Sequence, residues 1–185
     1  AGNATTARKL GGCPTWYETN VDAGTNGAGA GNGAIRTDGT QRAFTEDQLK
    51  GILVSCYNEG GNPNMIMVNA FNKQKLSGFT GGSTRFDAAE DRRLITSIDV
   101  YESDFGTMQV APNRFIRGAN GTAAKIGQDA HILDMEYWAV SFLRDFSLQT
   151  PAQTSDADQR FMVAEYTLES RNEKASGLIT DLTTS

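Results

Sequence analysis

Histidine occurs once in the 185 residues, as His131, and cysteine twice, as Cys13 and Cys56. A catalytic zinc needs about three protein ligands with nitrogen or sulfur prominent, and this chain has few of either. Two cysteines cannot build a disulfide framework, and the C-x-x-C spacing of redox and metal sites is missing. Basic residues are outnumbered. Lys and Arg number 17 against 22 Asp and Glu, a net charge of −5, so no global positive field draws nucleic acid. No apolar run approaches the ~18 residues of a membrane span. Ala1–Leu10 shows no secretory signal and no initiator methionine, which reads as a processed chain or a piece of a longer one.

What is present is an ordinary apolar share with an excess of glycine. Hydrophobic residues make up 38% and glycine 20 of 185 positions, above the usual ~7% for glycine. A chain of this length and composition buries roughly two-thirds of its unfolded surface, so it is globular rather than a disordered tail. The glycines cluster. Between Asp22 and Gly39 six of eighteen residues are Gly, with Asn26-Gly27 and Asn32-Gly33 pairs and no large apolar residue from Asp22 to Ala34. This reads as a long exposed loop that contributes nothing to a core.

Local signals place the elements. Ala4–Gly11 reads as the end of a helix stopped by Gly11-Gly12. Thr45-Glu46-Asp47-Gln48 is a capping box, and Phe44 with Leu49 has the spacing of a hydrophobic staple. Leu49, Ile52, Leu53, Cys56 and Tyr57 then line one face of a helix that Gly60-Gly61 ends. Met65–Val68 reads as a fully buried strand, followed by a helix capped by Asn69 with Phe71–Leu76 as its body. From Arg92 the period changes to two, with Leu94, Thr96, Ile98 and Val100 on one face. Asp104-Phe105-Gly106 turns the chain into a return strand through Met108 and Val110 that Pro112 ends. Arg117–Gly127 reads as a second loop. Strands are expected at Ile132-Leu133, from Trp138 through Val140 and Phe142, and along Met162–Leu168. The last begins apolar at Phe161 and Val163 and turns polar toward Arg171, like a strand passing from a core to a solvated edge. Helix, buried strand and helix within about 35 residues suggest an α/β layer arrangement.

Candidate chemistry is sparse. Gly29-x-Gly31-x-x-Ala34 matches a loose dinucleotide fingerprint, but no strand leads into it and no helix opens after it. His131, beside Ile132 and Leu133, reads as a half-buried structural residue. Asp156 and Asp158 lack the rest of a calcium loop. Cys56 falls on the apolar helix face, and Cys13 has only His131 as a conceivable base. Glu90/Asp91 and Glu102/Asp104 read as solvated or ion-paired carboxylates. Arg85-Phe86 and Arg92-Arg93 are the nearest approach to a phosphate-binding patch. No catalytic, cofactor-binding or metal residues are assigned.

An ordered set of segments resembles the major capsid (major head) proteins of tailed bacteriophages. They are Gly2–Leu10, Thr45–Leu49, Met65–Lys73, Asp99–Gly106, Val110–Arg114, Glu165–Leu168 and Asn172–Ala175, and together they span nearly the whole chain. The resemblance implies an α+β chain of the Hong Kong 97-type capsid fold, an A-domain with helices packed on a mainly antiparallel sheet plus part of a P-domain. Under it, 1–44 holds the end of the spine helix and the Gly-rich loop of the P-domain. Residues 45–135 form the A-domain, and 136–185 return through the P-domain. The family's N-terminal arm and extended loop would precede Ala1. The implied function is that of a non-enzymatic virion subunit that self-assembles, as pentamers and hexamers, into an icosahedral shell enclosing phage DNA. Implied partners are portal, scaffold or decoration proteins, and DNA through weak non-specific contact; the implied place of assembly is the bacterial host cytoplasm. Competing readings are a small α/β hydrolase or ligand-binding module with a Gly-rich lid, marked by a pocket around His131 or Cys13, and an extracellular β-rich adhesion domain.

Overall fold

The computed structural model describes residues 5, 10–79, 100–116, 126–152 and 156–184. The expected helix end at Ala4–Leu10 (apart from Thr5 and Leu10), the strand from Arg92 to Asp99 and most of the Arg117–Gly127 loop lie outside them.

The capping box forms in full. The Gln48 amide donates to Thr45 Oγ1 at 3.4 Å and the Thr45 amide to Gln48 Oε1 at 3.0 Å, opening α1 over Glu46–Asn58. Leu49, Ile52, Leu53 and Cys56 are buried on one face, as the spacing predicts, while Tyr57 stays largely exposed. The second helix, α2, spans Ala70–Ser77, and Asn69 caps it by accepting from the Asn72 amide at 2.6 Å.

The strands are β1 (Val21–Asp22), β2 (Met65–Val68), β3 (Val100–Ser103), β4 (Gly106–Pro112), β5 (Ala130–Leu133), β6 (Trp138–Gln149), β7 (Phe161–Ser170) and β8 (Gly177–Ile179). Six of them build one sheet in the order β1-β8-β5-β2-β4-β3. The expected hairpin is there, with Asp104-Phe105 linking β3 to β4. The sheet is mixed: β1–β8 and β2–β4 are parallel, and the other three pairings are antiparallel. The parallel partner of β2 is reached by a crossover rather than a tight turn, and α2 lies on the connection between β2 and β4.

Strand β2 alternates rather than being buried throughout. Ile66 and Val68 are fully enclosed, while Met65 and Met67 are only partly covered. The difference lies in what covers each face. Ile66, Val68, Met108, Val110, Ile132 and Ile179 belong to the large core that also includes Leu49, Ile52 and Leu53 of α1 and Leu76 of α2. On the opposite face, Met65, Met67, Leu133 and Leu178 meet Tyr17, Cys13, Val21 and Trp138, a thinner layer.

The Gly-rich stretch is largely exposed or half-buried and adds no residue to either core cluster, as its composition predicts. It is nevertheless held in place, because Arg36 within it is buried and Gly24 and Gly39 donate backbone hydrogen bonds, each 2.9 Å, to the buried Asp181 carboxylate. The Asn-Gly pairs do serve as turns. Asn26, Asn32 and Gly33 have φ of 67°, 51° and 79°, the left-handed region that Asn and Gly tolerate best.

Strands β6 and β7 form a separate two-stranded ribbon. Here the expected direction of β7 is reversed. Its apolar start, Phe161 and Met162, is exposed, and its polar end, Ser170, pairs with Trp138 beside the body of the molecule. Alternation fixes which residues share a face, but not whether the same chain covers that face.

Candidate functional site

The one cysteine–histidine pairing that the sequence allowed does come together. His131 in β5 and Cys13 in the N-terminal segment lie on the thinly covered sheet face, with Cys13 Sγ 3.9 Å from His131 Nδ1 and 3.1 Å from Tyr17 Oη. Tyr17 stacks on His131 at 5.9 Å between ring centroids. Beside them an open, mainly apolar groove of about 400 Å³ is lined by Pro14, Met67, Phe115, Ile116, Trp138 and Leu168 among others.

The electrostatics run opposite to those of a catalytic dyad. Burial pushes the Cys13 thiol up to about 11, and burial together with the Arg36 charge pushes His131 down to about 4. A nucleophilic cysteine needs a thiolate beside an imidazolium, and this pair is held as thiol and neutral imidazole. His131 is fully rather than half buried. Tyr17, also fully buried, is raised well above its ordinary range by burial.

Other candidates stay apart. Cys56 is buried on α1, 3.6 Å from the Asn20 side-chain nitrogen, and burial raises its thiol to about 12. The Gly29–Ala34 stretch ends in a turn in which the Ala34 amide donates to the Gly31 carbonyl at 2.9 Å. The next helix is α1, which begins only at Glu46, so no helix N-terminus stands ready for a phosphate. Glu102 and Asp104 are exposed at the hairpin, Asp156 is exposed, and Asp158 pairs with Arg160 at 3.0 Å. Glu90/Asp91, Arg85-Phe86 and Arg92-Arg93 lie outside the described residues. No group of three or more His, Cys, Asp or Glu placed to hold a metal ion occurs among the described residues. No described helix is long and apolar enough to cross a membrane.

The most elaborate polar cluster is one that the sequence reading passed over. Arg36 reaches Asp181 Oδ1 at 3.0 Å, Asp129 Oδ1 at 2.9 Å and the more exposed Asp38 at 2.9 Å. Asp181, at φ 59°, also accepts from the Thr180 hydroxyl at 2.9 Å. Burial opposes its ionisation, but the Gly39 amide, the Thr180 hydroxyl, the Gly24 amide and Arg36 outweigh it and lower its pKa. Asp129 has fewer donors, and burial lifts it to about 7 against the pull of Arg36. The cluster staples the Gly-rich stretch to the strand ends near Asp129 and Asp181. Its members are 93 and 145 residues from Arg36 in sequence. The available signal was a lone arginine following an uncharged Gly-rich run.

The described surface therefore offers no activated nucleophile and no metal centre, but it does offer a wide uncovered apolar area. Val140, Phe142, Phe146, Leu148, Met162 and Tyr166 on the ribbon each keep half or more of their surface in solvent, and Phe115 beside the groove keeps 81%. Such an area marks association rather than catalysis.

Comparison with known proteins agrees. No curated protein matches the chain. The family model described as SU10 major capsid protein matches residues 1–183. The chain belongs to the SU10 major capsid protein family, and its role is that of a structural major capsid subunit.

Proposed function

We propose that this subunit builds the wall of an icosahedral phage head around packaged DNA, in the Hong Kong 97-type fold. The observation that carries the reading is the family match across residues 1–183, and helices layered on one face of a sheet are compatible with it. Residues 45–135 would form the axial A-domain, and 1–44 with 136–185 would contribute to the peripheral P-domain. The sheet draws strands from all three stretches, so the division describes places in the shell rather than separate folding units.

Assembly follows from surface chemistry. Apolar area that one copy leaves in water is buried between copies, and repeated heterologous contacts around symmetry axes close into pentamers, hexamers and then a shell. The net charge of −5 gives no general attraction for DNA, so contact with the packaged genome would be weak and non-specific. Portal, scaffold or decoration proteins would meet the shell from outside this chain, and assembly would take place in the bacterial host cytoplasm. The subunit has no enzymatic role in this reading. The hydrolase alternative gains nothing from its own marker, since the groove beside Cys13 and His131 holds both groups in their unreactive states.

Sedimentation velocity and small-angle scattering on the purified chain test the reading. Species far heavier than the 19.9 kDa chain, closing to a uniform size, are expected. A compact monomer at every concentration and ionic strength would overturn it.

A further inference from the structure

We infer that Cys13, His131 and Met67 make a binding site for one soft monovalent metal ion of the copper(I) kind. The inference goes beyond the capsid reading and does not rest on it.

The sheet register brings two of the donors together. Met67 of β2 and His131 of β5 are direct cross-strand partners. Their side chains therefore stand side by side on one face, with Cβ atoms roughly 5 Å apart. That face is the thinly covered one, where Cys13 packs with Tyr17 and Trp138. A tight turn holds Cys13 there. It opens the single turn Cys13–Thr15, Pro14 fixes the backbone after it, and the Trp16 amide donates to the Cys13 carbonyl at 3.2 Å. All three donors line the groove of about 400 Å³, and Met135 lines it as well.

The spacing fits an ion. His131 is 3% exposed, yet its Nδ1 meets Cys13 Sγ only across 3.9 Å, long for a hydrogen bond. Bonds of about 2.3 Å to sulfur and about 2.0 Å to nitrogen span that gap at an angle of roughly 130°. So wide an angle suits two or three ligands rather than the four of a tetrahedral zinc site. Met67 is the third. Its Sδ accepts from the Asn113 side chain at 3.1 Å and keeps a second lone pair.

Donor chemistry and charge select the ion. Histidine, cysteine and carboxylates alone supply no metal centre among the described residues, but thioether sulfur is a further donor for soft ions. A thiolate and a monovalent ion sum to zero charge, and imidazole and thioether add none. A divalent ion would leave a positive charge in a groove lined mainly by apolar side chains, which is costly. Burial keeps the imidazole neutral, as a ligand must be. Burial also raises the Cys13 thiol, so its proton is displaced by the ion rather than lost beforehand. The S–H bond breaks, the sulfur keeps the electron pair and gives it to the ion, and the proton leaves to water; nothing is oxidised or reduced. The Tyr17 hydroxyl, 3.1 Å from Cys13 Sγ, then donates to the metal-bound thiolate.

The full chain is titrated with copper(I), under ascorbate and without oxygen, against bathocuproine disulfonate as a competing chromophore. One equivalent should be withdrawn from the chelator, with release of about one proton. Cys13→Ser and His131→Gln should weaken uptake by ~100-fold or more, and Met67→Leu and Tyr17→Phe by ~10-fold. Cys56→Ser should bind like the unaltered chain, and zinc(II) should not compete. Circular dichroism establishes that each variant is folded. X-ray absorption at the copper edge of the unaltered chain should show two sulfurs and one nitrogen, a readout that needs no variant. No uptake by the unaltered chain, undiminished uptake by folded Cys13→Ser, or a copper environment without nitrogen would overturn the inference. None of these outcomes touches the capsid reading.

Discussion

Asp129 and His131 lie two residues apart, both buried, and they respond to pH in opposite directions. Asp129 is lifted from its ordinary 3.8 to about 7, chiefly by burial. Between those values the folded chain holds a proton that the unfolded chain has released. Its contribution to stability is therefore fully present below pH 3.8 and is lost as pH rises through 7. His131 is lowered from 6.5 to about 4, again chiefly by burial, so it contributes stability above pH 6.5 that is lost as pH falls toward 4. From pH 7 to pH 5, protonated Asp129 adds about 2 kcal/mol and the suppressed protonation of His131 removes about 2 kcal/mol. The two effects hide each other, and single substitutions unmask them. His131→Gln should make the protein about 2 kcal/mol more stable at pH 5 than at pH 7, relative to the slope of the unaltered chain, and Asp129→Asn about 2 kcal/mol less stable. Urea denaturation followed by tryptophan fluorescence across this range reads both slopes, and the remaining carboxylates act equally in all three proteins and cancel. Identical slopes in all three would refute the reasoning, because they would mean that neither group is buried in the state described.

Arg36→Met would leave Asp129 and Asp181 buried without their cation. It should cost about 3–5 kcal/mol at pH 7 by denaturant unfolding and expose the 22–39 stretch to limited proteolysis. Gly61→Ala would place a methyl 2.5 Å from Ala175 Cα and 2.6 Å from its carbonyl oxygen, both backbone atoms, and should cost about 3 kcal/mol. Gly51→Ala, on α1 with open space around it, should instead gain about 1 kcal/mol in the same assay. With thiols raised to about 11 and about 12, Cys13 and Cys56 should react with iodoacetamide at pH 7.5 at least ~100-fold more slowly in the folded chain than in urea. Rapid labelling of Cys13 would revive the nucleophile reading.

The legible parts of the fold were those written in local chemistry. The Thr45–Gln48 box, the Asn69 cap and the Asp104-Phe105 turn each depend on neighbours within a few residues, and each formed where it was read. Two things were not legible, for different reasons. The Arg36–Asp129–Asp181 cluster joins three distant parts of the chain, and no periodicity announces an ion pair between them. A Gly-rich stretch looks unordered until the carboxylate that organises it has a place. The ribbon was misjudged for a subtler reason. Alternation at Met162, Ala164, Tyr166 and Leu168 marks one face of β7, but a period of two does not say how much of that face is covered. The Cys13–His131 pair shows the converse limit. Sequence named both residues, and the structure brought them to 3.9 Å, yet burial disarmed them.

Electron microscopy of the assembled chain, at a resolution that separates subunits, tests the central claim most directly. The account predicts closed shells of pentamers and hexamers in which each copy carries this α+β body. Monomers or irregular aggregates under every assembly condition, or particles whose subunits have a different fold, would contradict it.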